Sequence, residues 1–449
     1  MLFKFSIAIF LTVTSLATSA SPDPVKEIEK TRQVHKITGS ISTIQYTLPN
    51  GLNVFLTENP KAPNVVVSHW VKAGSLHERP GITGIAHLFE HMMFRPITPG
   101  APSFFDIVTK LGGDANANTR FESTFYYTIV PRKHLKTLLK HESERFKKLV
   151  VTKELLDVER KAVWSEYSTK FDANPVIDLW FQIYQRAYKG HPFGWMIIGE
   201  RDDLEKITAK DCNEFFKKYY RPNNIGLFIT GDFKASEILP AVIENYSDWE
   251  RGTDSQLPPP FKGKTKEIIA EGKLPAEAKV MLFGFRTPYV DAANATIQSV
   301  AATILFDNQN GLLRKRLVDQ TKLASSVGEF NGSYDNGMMK ASIVLLPSTT
   351  VKQVRNELVK ALDDLKAMSD ETFATYKRNY YVSIAESNLR NSNIAGWLPY
   401  AWGKLGDIKL ASTYLSAPLD VTKEQVLQFL SEYYKPDNFI IMVHKGQAR

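Results

Sequence analysis

The 449-residue sequence has almost no cysteine, and Cys212 is the single example. One thiol excludes an internal disulfide and a metal site built from several thiolates. Because Cys212 lies in an amphipathic stretch, we predict that it is a small buried hydrophobic residue. With 43% hydrophobic and 23% charged residues, the chain has enough apolar material for large cores without covalent cross-links.

Long apolar runs are also missing beyond the first 20 residues. In that opening segment Lys4 precedes a mainly apolar stretch at 5–16, and small residues follow at 17–20. This pattern is typical of a secretory signal peptide, and the stretch is short for a bilayer core about 30 Å thick. We therefore expect a secreted protein, located in the bacterial periplasm, with no integral membrane segment after signal cleavage. A membrane anchor is the alternative.

The chain has no concentrated region of one charge. Its formal net charge is +8, from 56 basic and 48 acidic residues, and the short basic runs have acidic residues nearby. Nucleic-acid binding usually requires basic residues clustered on one face. The charge pattern therefore indicates a solvated surface, and we expect no nucleic-acid partner.

Strand and helix patterns alternate in the first half of the sequence. Residues 44–48 and 52–56 are apolar arms on either side of Asn50 and Gly51, a strong hairpin signal. Further strands are predicted at 65–71 and 125–130, and helices at 134–149 and 153–170. Mixed strands and paired helices predict an α+β fold with helices packed on mostly antiparallel sheets.

A helix-to-strand unit occurs twice, at 207–231 and at 421–446. The tyrosine pair that starts at Tyr219 recurs at Tyr433, an offset of 214 residues. Because the unit lies at the end of each half, we favour duplication over chance. A segment rich in glycine, proline and polar residues at 252–260 separates the halves. We predict a signal peptide at 1–20 and two similar domains, at 21–254 and 255–449.

The strongest chemical signal is the sequence HLFEH at 87–91. His87 and His91 are four residues apart on a predicted helix, so they share one face and can hold one Zn²⁺ as neutral imidazoles. Glu90 can reach a water at the metal without being a ligand, which is the position of a general base. Such a motif also arises by chance in some helices, so a third ligand is needed to support it.

Glu166 is the candidate for the third protein ligand that a catalytic zinc site needs. Glu159 and Glu166 are seven residues apart, two helical turns, and therefore face the same way. We predict that Glu166 binds zinc and that Glu159 lies one shell further out, where it orients a histidine. An ordinary solvated helix face is the alternative for both glutamates.

In these segments the sequence resembles the pitrilysin/insulinase family of inverted-motif (HxxEH) zinc peptidases, in its short, processing-peptidase-like type. The matching segments, in order and spacing, are 84–94, 112–119, 159–166 and 219–231. The resemblance implies two similar α+β domains, of which the first binds Zn²⁺. The site residues that it implies are the ligands His87, His91 and Glu166, the general base Glu90 and the supporting carboxylate Glu159.

Asn116, Ala117 and Asn118 resemble the substrate-holding edge strand of that family. A peptide would add to this strand through main-chain hydrogen bonds, and the small Ala117 would allow a close approach of the backbone. An ordinary edge strand is the alternative. Nearby, Phe104 and Phe105 are predicted to pack in the core rather than to line an apolar pocket.

The second half lacks a second HxxEH motif, so no second zinc is expected there. The resemblance also leads us to expect an arginine and, seven residues later, a tyrosine that hold the substrate carbonyl and the developing oxyanion. The matching positions carry Val318 and Ser325. Arg316 and Tyr334 are the candidate replacements, although the register argues against both.

Together these features predict an exported zinc endopeptidase that hydrolyses peptides or unfolded polypeptide segments. Because the arginine-tyrosine pair is missing, we hypothesise a heterodimer with a related, zinc-less subunit that carries it; a homodimer is the alternative. A non-catalytic structural or assembly subunit is the competing function. Such a subunit need not keep HLFEH together with Glu166.

Overall fold

The structure is a computed structural model that describes residues 23–98, 100–172, 175–261, 263, 266–271, 278–329, 337–388, 391–413 and 416–444. The predicted signal peptide at 1–20 and Tyr334 lie outside these residues. Across the described ranges, no helix combines the length and the apolar character needed to cross a bilayer.

Seven strands form the first sheet. In chain order they are β1 (Gln33–Thr38), β2 (Ile41–Thr47), β3 (Asn53–Glu58), β4 (Asn64–Val71), β5 (Asp114–Thr119), β6 (Thr124–Pro131) and β7 (Ile225–Gly231). Their spatial order is β1-β2-β3-β7-β4-β6-β5. Neighbours run antiparallel except β3 and β7, which are parallel. The predicted hairpin at residues 44–56 is confirmed as the antiparallel pair β2 and β3.

A second sheet repeats part of the first. Its strands are β8 (Ile268–Glu271), β9 (Lys279–Arg286), β10 (Ala324–Glu329), β11 (Met338–Leu345) and β12 (Phe439–His444). They lie in the order β10-β11-β9-β12-β8, with β12 and β8 parallel and the other neighbours antiparallel. This matches β5-β6-β4-β7-β3 in order and direction. The topology therefore supports the duplication, and the α+β fold with mostly antiparallel sheets is confirmed.

Helices cover both sheets. Those of the first half are α1 (Pro24–Glu29), α2 (Ile85–Met92), α3 (Phe104–Lys110), α4 (Leu135–Lys148), α5 (Lys153–Tyr167), α6 (Pro175–Ala187), α7 (Arg201–Lys206), α8 (Ala209–Tyr219) and α9 (Ala235–Tyr246). Those of the second half are α10 (Ala295–Phe306), α11 (Leu312–Arg314), α12 (Val351–Ala367), α13 (Asp370–Asn388), α14 (Asn391–Gly403), α15 (Leu410–Thr413), α16 (Ala417–Asp420) and α17 (Lys423–Tyr433). A π-helical turn, Ser168–Asp172, extends α5.

The repeated unit has the same local structure in both halves. Thr208 caps α8 and Thr422 caps α17, each through a hydroxyl that accepts the N–H group three residues later. The chain then leads into β7 in the first half and β12 in the second, and both strands are buried along their whole length. Cys212, on α8, is fully buried as predicted. The boundary near residue 255 falls between α9 and β8 and stays a prediction.

Each half contributes one helix to the sheet of the other half. Helix α6 packs on β9 and β12, where Leu179 and Ile183 join an apolar cluster with Ile440. Helix α14 packs on β4 and β7, and its Trp402 ring lies 5.8 Å from Phe55 and 5.9 Å from Phe228, centroid to centroid. Since β9 and β12 correspond to β4 and β7, the exchange is reciprocal and the halves share cores.

The α14 contact requires a close approach of backbone and ring. A Cβ atom on Gly226 would lie 2.7 Å from the Trp402 ring, and one on Gly403 would lie 2.1 Å from Trp70 Nε1. A buried ion pair reinforces the junction, with Lys404 Nζ 2.8 Å from Glu122 Oε1. Glycine at two positions and one charge pair therefore adapt the two halves to each other.

Removing the Trp402 ring tests this exchange. We expect Trp402→Ala to lower the free energy of unfolding by about 3–5 kcal/mol, because removal of this large aromatic side chain leaves a cavity between α14 and the sheet. Urea unfolding followed by circular dichroism measures the change. Val359→Ala on α12 is the control, because Val359 is 38% exposed and should shift the value by less than about 0.5 kcal/mol. A Trp402 variant as stable as the control would contradict a shared core.

Candidate metal centre

Helix α2 presents the HLFEH sequence to a cleft. Its apolar residues, among them Leu88 and Phe89, are buried against the core, so the histidines lie on the opposite, partly exposed face. Gly84, the residue that precedes the helix, has a φ of 87°, and a Cβ atom there would lie 2.4 Å from Ile198 O, so the position favours glycine. Buried Glu78 accepts the N–H groups of Gly84 and Ala86, each at 2.9 Å. Glu78 thus satisfies N–H groups that the first turn of a helix leaves without partners.

Helix α5 packs against α2 and carries the two predicted carboxylates. Glu166 Oε2 lies 3.2 Å from His91 Nε2 and 3.6 Å from His87 Nε2. One donor atom from each of the three residues lies within 4.8 Å of the others. Ligands of a tetrahedral zinc ion with bonds of about 2.0–2.1 Å lie about 3.3 Å apart. The three side chains therefore fit a single ion.

The protonation of the three groups reflects their surroundings. Burial lowers the pKa of His87 to about 4, which leaves this imidazole neutral at pH 7. Burial also opposes a charge on His91, but the neighbouring carboxylates of Glu159 and Glu166 outweigh it and raise the pKa of His91 to about 9. The hydrogen bond with His91 lowers the pKa of Glu166 to about 2. A metal ion at this position would displace the shared proton.

Glu90 lies beside this group and is held by the end of β5. Thr119 Oγ1 donates a hydrogen bond to Glu90 Oε2 at 2.5 Å. Burial raises the pKa of Glu90, and the Thr119 bond opposes the increase. The carboxylate is thus fixed in orientation, and its pKa is shifted toward neutrality, where proton exchange is efficient.

Glu159 and Glu166 on α5 each have a cation beside them. Glu159, with a side chain only 1% exposed, places Oε2 3.6 Å from His91 Nδ1 and Oε1 2.5 Å from Arg95 Nε. Lys170, in the π-helical turn, places Nζ 2.5 Å from Glu166 Oε1. Glu159 therefore lies behind the possible ligand His91, and its supporting role stays a prediction.

These groups line one wall of a cleft of about 610 Å³, and the predicted substrate residues Asn116, Ala117 and Asn118 line another. Their strand, β5, is the last in its sheet and pairs with β6 on one side. The predicted edge position is thus confirmed, and the opposite edge of β5 faces the cleft. The structure brings the predicted ligands, general base and edge strand together.

The prediction for the phenylalanine pair is right for Phe104 and wrong for Phe105. Phe104 is buried, whereas Phe105 is 47% exposed, lines the cleft and stacks on Phe94 with a centroid distance of 4.5 Å. Neighbouring residues on a helix point about 100° apart, so α3 can direct only one of the two rings into the core.

Neither the aligned residues of the second half, Val318 and Ser325, nor the candidate replacement Arg316 lines this cleft. Arg316 is held by α12 through Asp364, with Nε to Oδ2 at 2.8 Å, and through Glu357, with Nη1 to Oε2 at 2.7 Å. Val318 packs against the core of the second half, and the Ser325 hydroxyl donates to Val344 O at 3.3 Å. Arg316 is thus occupied by local ion pairs and does not line the cleft, while Tyr334 lies outside the described residues.

Sequence reasoning assigned no ligand, catalytic or positioning role to three residues of the site. Arg95, Thr119 and Lys170 all line the cleft beside a predicted catalytic or ligand residue. A spacing of four residues links Lys170 to Glu166, so this lysine had a detectable signal. Arg95 lies beyond the end of α2 and had no such signal. Thr119 has none, since its contact with Glu90 joins separate elements.

The fold and the site together define a class of protein. Proteins of this class contain two copies of one α+β unit, and the first copy has a His-His-Glu group that can hold a metal ion. Residues 53–201 match the family model described as insulinase (peptidase family M16). Residues 206–380 match the model described as peptidase M16 inactive domain. The chain therefore belongs to the insulinase family of peptidases, M16.

Individual relatives agree with this assignment. The zinc protease PqqE of Helicobacter pylori is 26% identical over 402 residues, which are 87% of this chain and 89% of that protein. A solved protease from Helicobacter pylori superposes with a TM-score of 0.80 at 23% identity, over 92% of this chain and 100% of that one. Pitrilysin superposes with a TM-score of 0.72 at 19% identity, over 93% of this chain but 47% of its own. This chain thus has the fold of about half of pitrilysin.

Proposed function

We propose that this protein is a zinc endopeptidase that hydrolyses peptides or unfolded polypeptide segments, with His87, His91 and Glu166 as the zinc ligands. The observation that carries the proposal is the spacing of their donor atoms, 3.2 and 3.6 Å from Glu166 Oε2. Two imidazoles and a carboxylate are a ligand set that zinc prefers, and three protein ligands leave a position open for substrate or water. The name of PqqE, a zinc protease, supports the same metal.

When bound, zinc supplies a Lewis acid that polarises the scissile carbonyl and makes water more acidic. Glu90 takes the proton of the attacking water and returns it to the leaving amine. Thr119 holds one oxygen of Glu90, which leaves the other free to exchange the proton. Glu159 orients His91 through Nδ1, so that the Nε2 atom of this ring faces the metal.

The open edge of β5 is the proposed substrate site. Asn116 and Asn118 are both exposed, and the small Ala117 between them is partly exposed. An extended peptide added to this edge would form main-chain hydrogen bonds, which select for backbone shape rather than for one sequence. A folded protein has few free extended segments, so the site favours peptides and unfolded segments.

Metal analysis and a peptide-cleavage assay on the same samples test the function. We expect one zinc per wild-type chain, and we expect Glu90→Gln to keep that zinc while turnover falls by about a thousand-fold, the range for loss of a general base. His91→Ala should lose both the bound zinc and the cleavage activity. His141→Ala, on α4 with a side chain 31% exposed, is the matched control and should lose neither. A wild-type chain without zinc and without cleavage would instead identify a structural or assembly subunit.

We also propose that a related, zinc-less subunit completes the site. None of Arg316, Val318 and Ser325 lines the cleft, so within the described residues the second half supplies no aligned group for the substrate carbonyl. The chain has the fold of about half of pitrilysin, so a second chain of similar fold would bring the assembly to the size of pitrilysin. A homodimer would leave the arginine-tyrosine pair absent.

Reconstitution with a co-encoded relative tests the heterodimer. We expect the purified chain alone to cleave peptides slowly and the mixture to gain about 100-fold or more in kcat, the range for restored oxyanion donors. The relative with its arginine replaced by alanine is the control and should give no gain. Full activity of the chain alone, unchanged by the relative, would sink the idea.

Export is the third part of the proposal, and it rests on the opening segment of the sequence. Lys4 followed by an apolar stretch and small residues at 17–20 is typical of a cleaved signal. We expect the protein from the periplasmic fraction to begin at Ser21, as read by N-terminal sequencing. A protein that keeps Met1 and stays with the membrane fraction would favour an anchor.

A further inference from the structure

We propose that Arg95 is a positioning residue for the metal centre. It holds the carboxylate of Glu159, and Glu159 in turn orients the ring of His91. The inference rests on the proposed function, because it assigns His91 to a zinc ion. Neither the sequence pattern nor the family resemblance indicated a role for this arginine.

Three contacts in series carry the proposal. Arg95 Nε lies 2.5 Å from Glu159 Oε1, Glu159 Oε2 lies 3.6 Å from His91 Nδ1, and His91 Nε2 lies 3.2 Å from Glu166 Oε2. Each oxygen of the Glu159 carboxylate thus faces a different partner. The series of contacts begins at Arg95 in the cleft, passes through Glu159 on α5 and ends at the His91 ring on α2.

Glu159 needs a charged partner because of where it lies. Its side chain is 1% exposed, and a buried carboxylate without a counter-ion is strongly destabilising. A histidine that binds a metal is a neutral ligand, so it does not supply a counter-charge. The guanidinium of Arg95 is permanently charged, and its ion-pair contact with Glu159 Oε1 supplies the counter-charge that attracts this oxygen away from His91.

The exposure of Arg95 separates this role from ordinary packing. Its side chain is 41% exposed and lines the cleft, so truncating it leaves no cavity in the core and the protein should fold. Arg95 is therefore open to a direct test, whereas Lys170 contacts the proposed ligand Glu166 itself.

Zinc affinity, measured by competition with a chelator, is the main readout. We expect Arg95→Ala to raise the zinc dissociation constant about ten-fold, the effect of losing a partner behind a ligand. Arg95→Lys should recover part of this loss of affinity, because lysine keeps the positive charge but carries it on a flexible stem. The visible absorption of the cobalt-substituted Arg95→Ala protein should also differ from wild type, since the His91 ring is less fixed.

A double-mutant cycle identifies the route. If Arg95 acts through Glu159, Arg95→Ala should add nothing to the loss already caused by Glu159→Gln. Arg132→Ala is the matched control: this arginine forms its own ion pair with Asp232, is 66% exposed and does not line the cleft. It should bind zinc as tightly as wild type.

Three results would overturn the proposal. One is wild-type zinc affinity in Arg95→Ala, and another is an additive loss in the double variant. A third is unchanged zinc affinity with a raised KM for acidic peptides alone, which would make Arg95 a substrate-recognition residue. These are distinct from failure of the proposed function, in which the wild-type chain itself holds no zinc and cleaves no peptide.

Discussion

The packing of α5 against α2 is the contact on which the proposed chemistry depends. It places the carboxylates of one helix, two turns apart, opposite the histidines of the other, so that Glu166 meets His87 and His91 and Glu159 meets the far side of His91. Charged side chains are rarely buried in pairs without compensation. Here each carboxylate has a cation, and a metal ion would replace the proton that His91 shares with Glu166.

A buried ion pair fixes the C-terminal end of α2 on the side away from the cleft. Arg145 Nε lies 2.7 Å from Glu142 Oε2, and the other Glu142 oxygen accepts the hydroxyl of Thr128 at 2.7 Å. The guanidinium also donates to Met93 O at 3.3 Å and lies 3.8 Å from the Phe104 ring centre. Since Met93 follows α2, these contacts tie the C-terminal end of that helix to α4.

The exchange of α6 and α14 joins the two halves, because each helix packs on the sheet of the other half. Helix α5 leads through the π-helical turn toward α6, and α6 packs on the sheet of the second half. The helix with Glu166 is therefore followed by one that contacts the other half. The second half also returns Trp402 to the first sheet. Duplication alone would have produced two separate units; the exchange makes each sheet depend on both.

The sequence by itself determined the local elements and the chemical pattern. Asn50 and Gly51 specify a tight turn, and the four- and seven-residue spacings place His87 with His91 and Glu159 with Glu166, because helix periodicity is a property of the local chain. Only the tertiary structure decided which separate elements meet: Trp402 on the first sheet, Thr119 on Glu90 and Arg95 on Glu159. Such contacts depend on packing between segments far apart in sequence, which no local period records.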